Sequence, residues 1–216
     1  MKKVLLLLVC LIGMTLAHAQ TYTIYPIPQQ TTEGSGTVEL TPTINVVCGS
    51  GIGRVTKDRI QEVLEAAGYT CQLSESASSE LTNLYVGVAG SGDVADAYAT
   101  SRGVSQEVFT EAPNRFDAHV MQIADGNIVV LGNGERSEYY AFATLEQILE
   151  QAAGTALHEV TYEDYSHCQW RGAIEGFYGN PYSVDAHCSL FEFFKRFKMN
   201  VFIYAPKMDP YHLGYW

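Results

Sequence analysis

At 216 residues, 47% hydrophobic and 17% charged, the chain can bury one large core or two small ones, and global disorder is excluded. Its formal net charge of −11 repels phosphate backbones, which argues against a nucleic-acid partner. No stretch reaches the ~18 apolar residues of a membrane span.

Residues 1–19 read as an address. Lys2 and Lys3 precede the short apolar run Val4 to Ile12, and Ala17-His18-Ala19 forms a small-residue cleavage signal before Gln20. The expectation is export to the periplasm or the exterior, with a retained N-terminal anchor as the alternative. Cys10 follows Val9 without the small residue that a lipid-anchor site needs.

Residues 20–168 predict a small α/β domain. Tyr22 to Pro28 alternates and then stops at prolines, which predicts an edge strand. The Gly/Ser/Thr patch Thr31 to Thr37 predicts a turn or loop. Ile44 to Cys48 and Leu84 to Ala89 read as strands. Between them Ile60, Val63, Leu64 and Ala67 recur at helix spacing, with Gly68 as the stop. A further helix is expected within Asp93 to Ser101. Asp125-Gly126 between two apolar runs is a hairpin signal. Ala141, Leu145, Ile148, Leu149 and Ala152 define a helix face with Gly154 past its end, and His158 to Tyr162 is a last strand. Strands alternating with helices, plus one hairpin, predict a mixed sheet.

Two glycine clusters, Gly49-Ser-Gly51-Ile-Gly53 and Gly90-Ser-Gly92-Asp-Val-Ala95, each follow a strand and precede a helix. A phosphate-binding loop has that arrangement. Arg54 in the first, and the lack of an acidic strand end after the second, favour ordinary turns, so no cofactor is expected. Once the leader is removed, the cysteines are Cys48, Cys71, Cys168 and Cys188. An oxidising compartment permits disulfides, and the sequence leaves all three pairings open beside free thiols. No C-x-x-C pair occurs, so no metal is expected.

From residue 169 the pattern changes. Gln169 to Glu175 is a strand entering a glycine-rich loop. Ser183 and Asp185 suit a helix N-terminus. Leu190, Phe194 and Phe197 give that helix an apolar face, widened by Phe191 and Phe193, and Met199 to Tyr204 is a second strand. The reading is a β–α–β unit. Glu175, Tyr178, Lys207, Asp209 and His212 lie just past the two apolar runs, where a β/α barrel places its active site. On residue chemistry alone, Glu175 and Asp209 are a candidate acid/base pair, with Lys207 orienting a hydroxyl or carbonyl. Alternatively Glu175 is a strand-end carboxylate held by backbone N–H groups or by Arg171. His212 is either an acid or base or a hydrogen-bonding residue that ties down the Asp209 turn. The chain's fourteen tyrosines and nine phenylalanines fill cores or form stacking platforms for flat ligands such as sugar rings.

Arg171-Gly-Ala-Ile-Glu-Gly-Phe-Tyr-Gly179, Lys198-Met-Asn200, Tyr204-Ala-Pro-Lys207 and Asp209-Pro-Tyr-His212 together resemble the start of the catalytic barrel of glycoside hydrolase family 84. These are the β-N-acetylglucosaminidases called O-GlcNAcases, with bacterial members labelled hyaluronidase. The first domain resembles the small α/β domain that precedes the barrel there and in family 20 hexosaminidases. The resemblance implies a signal peptide (1–19), a hexosaminidase-like domain (20–168) and an incomplete TIM barrel (169–216). It implies retaining, substrate-assisted cleavage of terminal β-linked N-acetylglucosamine through an oxazoline. Gly176, Tyr178 and Lys207 would bind substrate, with Glu175, Asp209 and His212 supporting. The partner would be an N-acetylglucosamine-bearing glycan or glycoprotein. The family's consecutive catalytic aspartates are absent from these 216 residues, so they are expected beyond Trp216 and the chain alone is expected to be inactive. Met208 stands where relatives often carry another aspartate. The alternative is a non-catalytic carbohydrate-binding or vestigial protein.

Overall fold

A computed structural model describes residues 22–110, 115–154, 156–176 and 180–205. The first domain is built on a seven-stranded mixed sheet. In chain order its strands are β1 (Gln30–Val38), β2 (Thr43–Cys48), β3 (Thr70–Ser74), β4 (Thr82–Val88), β5 (Phe116–Ala124), β6 (Asn127–Gly132) and β7 (Leu157–Ser166), arranged β1-β7-β5-β6-β4-β2-β3. The β3, β2, β4 and β6 side is parallel, while β5, β7 and β1 are antiparallel. Asp125 and Gly126 both take positive φ, 51° and 76°, in the β5–β6 hairpin, the conformation that a type I′ turn demands.

The central strands carry apolar side chains on both faces because both faces are covered. Leu84, Val86, Ile128 and Val130 point into one core with helices α1 (Arg54–Ala66) and α4 (Glu135–Ala152). Tyr85, Val129 and Leu131 point the other way, onto α2 (Val94–Ser101) and α3 (Glu107–Thr110). Full burial of such side chains contributes ~1.5–3 kcal/mol each. Gly68 (φ 87°) and Gly154 (φ 81°) follow α1 and α4 as left-handed stops.

The second glycine cluster is a turn organised by the protein's own carboxylates. Asp93 Oδ1 accepts from Ala95 and Asp96 N–H at the start of α2, and Asp96 Oδ2 accepts from Gly92 N–H at 2.8 Å. The place a phosphate would take at this helix N-terminus is filled by negative charge. The two nearest cysteines, Cys48 and Cys71, do lie on neighbouring strands. However, Cys71 is opposite Ile44, four positions from Cys48 at ~3.3 Å each, beyond bridging distance. All four described cysteines are free thiols.

Two expectations fail. Tyr22 to Pro28 is no strand but an irregular, bent segment. Its Tyr22 and Ile24 side chains enter the core, while its backbone pairs with helix side chains. Gln151 Oε1 accepts from Thr23 N–H at 2.8 Å and its amide donates to Thr23 O at 2.9 Å; Gln147 does the same for Tyr25 at 2.9 and 2.7 Å. Two glutamines one helical turn apart thus take the place of a partner strand. Conversely, the polar patch Thr31 to Thr37 is part of edge strand β1, antiparallel to β7 with an irregularity between Glu33 and Thr37. Its glycines fit because Glu159 crosses them: a Cβ on Gly34 would stand 2.5 Å from Glu159 Cβ. Strand β3 and the short α3 were not anticipated.

Beyond β7, β8 (Gly172–Glu175) and β9 (Val201–Tyr204) pair in parallel, joined through α5 (Val184–Arg196). Ser183 caps α5 as expected, its Oγ accepting from Ala186 N–H. Of the apolar face, Phe194 is buried, while Phe191 and Phe193 are each 46% exposed. Basic side chains fasten this unit to the acidic first domain. Arg196 forms two 2.8 Å bonds to Glu150, Lys195 reaches Glu62, and Arg171 reaches Asp117 at 2.7 Å. The exposed Arg196–Glu150 pair contributes up to ~1 kcal/mol.

Candidate functional site

The C-terminal end of β8 delivers Glu175, the one buried position of that strand at 4% exposure. Oε1 accepts from Tyr182 N–H at 2.7 Å, which ties the return of the following loop to the strand end. Oε2 lies 2.6 Å from Nε2 of His187, one turn into α5. Glu175 is therefore the strand-end carboxylate held by a backbone N–H. Arg171 is not its partner: that guanidinium serves Asp117 and the carbonyls of Lys198 and Cys168. With both oxygens engaged by the protein, Glu175 is built to hold rather than to react. His187, which nothing in the sequence flagged, is boxed by the rings of Tyr182, Phe191, Phe202 and Tyr204 at centroid distances of 5.6–6.2 Å.

Gly176 follows directly. It is exposed, and a Cβ built on it would meet nothing within 4 Å among the described residues. Tyr178, Lys207, Asp209 and His212 lie outside the described residues. Among the described residues no group of three or more His, Cys, Asp or Glu side chains is arranged to hold a metal ion.

The other end of the same strands carries a second polar cluster. Lys198, 7% exposed, donates to Asp164 Oδ2 at 2.6 Å and Thr144 Oγ at 2.9 Å. His119 Nδ1 donates to Asp117 O at 2.9 Å, which leaves Nε2 as an acceptor 3.8 Å from Asp164 Oδ2. Burial, and then the Lys198 charge, pull the His119 pKa down to about 4. The 3.8 Å approach to Asp164 is therefore no ion pair at neutral pH. Asp117 and Lys198 both hold left-handed backbone, φ 55° and 56°, a conformation that costs a non-glycine residue ~1 kcal/mol or more. A cavity of about 160 Å³ opens here, lined by His119, Tyr140, Asp164, Arg171, Phe197 and Lys198. Because Arg171 and Lys198 precede β8 and β9, this cavity is at the opposite end from Gly176 and is not the candidate sugar site. Asn200 completes the stitching: its Oδ1 accepts from Arg171 N–H at 2.8 Å and its amide donates to Gln169 O. Arg171 and Lys198 thus cross the joint between the two units, and Asn200 holds Arg171 and Gln169 in place within the second.

Residues 21–165 match the family described as glycosyl hydrolase family 20, domain 2, and residues 171–216 match the β-N-acetylglucosaminidase family. The protein O-GlcNAcases of Rattus norvegicus and Mus musculus are each 38% identical to it over 45 residues, which is 21% of this chain and 5% of theirs. The solved structure of CpGH84D is 39% identical, with a TM-score of 0.83 over 90% of this chain and 32% of that one. A family 20 exo-β-N-acetylglucosaminidase mutant from Vibrio harveyi shares the fold, with a TM-score of 0.62 at 14% identity over 84% of this chain and 25% of that one. The chain thus spans about 5% of the curated relatives and about a third of CpGH84D.

Proposed function

This chain belongs to glycoside hydrolase family 84, with a family 20 domain 2 at residues 21–165, and we propose on that basis that it is the N-terminal part of an exported, retaining β-N-acetylglucosaminidase. The observation that carries the reading is the end of β8: a buried carboxylate is tied to the Tyr182 N–H while Gly176 beside it is exposed. That arrangement suits a backbone contact to a sugar hydroxyl, with Tyr178 bordering the pocket and Lys207 hydrogen-bonding the sugar. Strands β8 and β9 leave Ile174 60% and Ile203 47% exposed, as expected of strands that need further neighbours to close a barrel.

The reaction proposed is hydrolysis of terminal β-linked N-acetylglucosamine. The 2-acetamido oxygen attacks the anomeric carbon as the glycosidic oxygen leaves with a proton, and water then opens the oxazoline with net retention. No consecutive aspartates occur in these 216 residues, so the two proton-handling carboxylates are proposed to come from elsewhere in the protein. These residues alone are then inactive. Residues 1–19 are proposed to be removed on export, so that the mature chain starts at Gln20. The test is release of p-nitrophenol from p-nitrophenyl N-acetyl-β-glucosaminide, by the 216-residue chain and by the full-length protein. Turnover is expected only from the latter, with retention seen by NMR. Turnover by the 216 residues that is lost in Glu175→Gln would overturn the division of labour. A full-length protein that binds the glycan without cleaving it would favour the non-catalytic alternative.

A further inference from the structure

We propose that His187 is a positioning residue for the sugar site, acting through Glu175 to fix both ends of the loop that follows β8. The inference rests on the glycosidase reading above. One carboxylate joins three elements: it belongs to the last residue of β8, accepts from Tyr182 N–H where the loop returns, and meets His187 Nε2 on α5. Gly176 is the next residue along the chain, so the direction of its backbone is inherited from that anchor. The four rings around His187 limit how its imidazole can turn and hold Nε2 on Glu175 Oε2. The attachment of α5 to the first domain is carried by Lys195 and Arg196 through Glu62 and Glu150. Loss of the His187–Glu175 bond therefore loosens the loop without detaching the helix.

The position asks for an N–H donor at the place of Nε2 as well as an aromatic-sized filler, and two substitutions separate those needs. His187→Phe fills the ring's space and cannot donate. His187→Gln sets a donor near Nε2 in a smaller side chain. In the full-length protein, with p-nitrophenyl N-acetyl-β-glucosaminide as substrate, His187→Phe is expected to raise KM by ~10-fold or more, in line with other supporting-residue losses. The effect on kcat should be smaller, and His187→Gln should return KM to within ~3-fold of wild type. In the 216-residue chain, hydrogen exchange of the Tyr182 amide should quicken ~10-fold or more in His187→Phe and stay slow in His187→Gln. A His187→Phe enzyme with wild-type KM, or a Gln variant as impaired as the Phe variant, overturns the proposal while leaving the glycosidase reading intact. Absence of hydrolysis by the wild-type protein sinks the glycosidase reading, and the proposal with it; the Tyr182 exchange still reports whether the clamp exists. Should His187→Phe fail to fold, His187→Met carries the same comparison.

Discussion

Replacing Lys198 by Met tests how charge is arranged in the joint between the two units. In the wild-type protein His119 titrates at about 4 because it is buried and faces the Lys198 charge. Its value in the unfolded chain is ~6.5. The folded state thus resists protonation of His119, and the unfolded state binds the extra proton between those two values. Stability is accordingly full above pH ~6.5 and falls by ~1.4 kcal/mol per unit as pH drops towards 4, about 3 kcal/mol in all. Without Lys198, His119 Nε2 still lies 3.8 Å from Asp164 Oδ2, now with no competing cation. His119 in Lys198→Met should therefore titrate above its wild-type value, while burial, the larger cause, still holds it below ~6.5, and the acid limb it causes should flatten. Unpairing the buried Asp164 should also cost ~3–5 kcal/mol at pH 8. The assay is urea denaturation from pH 4 to 8, with the His119 ring followed by NMR. A variant whose His119 still titrates near 4, or whose stability falls with acid as steeply as wild type, refutes the account.

Gln147→Leu strips two hydrogen bonds from the Tyr25 backbone and should lower unfolding free energy by ~1–3 kcal/mol; a midpoint in urea equal to wild type would show that water replaces the amide at no cost. Asp93→Ala removes the two N–H contacts at the start of α2 and should cost ~0.5–2 kcal/mol, read in the same denaturation assay; unchanged stability would mean that the cap does not hold the turn. Burial pushes the Cys48 thiol up to about 11, whereas Cys168 and Cys188 are exposed. Iodoacetamide at pH 8 should therefore label the exposed pair first and Cys48 at least ~10-fold more slowly, as resolved by peptide mass spectrometry; equal labelling rates would contradict the packed environment of β2.

The parts of the fold that were legible are those where one signal suffices. The two-faced apolar strands, the Asp125-Gly126 hairpin and the helix faces ending in Gly68 and Gly154 each carry a period or a turn residue. Tyr22 to Pro28 alternates correctly and buries Tyr22 and Ile24, but alternation does not name the backbone's partner. That its hydrogen-bond partners are glutamine side chains rather than a strand is invisible in its own residues. Strand β1 was hidden for the opposite reason. An edge strand needs little apolar surface, and its glycines reflect the crossing of Glu159, a residue more than 120 positions away. At the site, the motif drew attention to Glu175 and Gly176, and the structure brings them together. His187 could have been suspected only from its place one turn into α5, which Ser183 caps. The Lys198–Asp164–Thr144 cluster draws on partners 34 and 54 positions apart, which no local pattern reveals.

The paired glutamines on α4 read main chain only. Each presents one carbonyl and one amide to an N–H and a C=O that every residue except proline possesses. The identity of the side chains at Thr23 and Tyr25 is therefore almost free, whereas a proline at either place, or a glutamate in place of Gln147 or Gln151, removes a donor that cannot be replaced locally. Sequence freedom in this segment therefore alternates: Thr23 and Tyr25 are held by main chain alone, while Tyr22 and Ile24 are fixed by the core that their side chains enter.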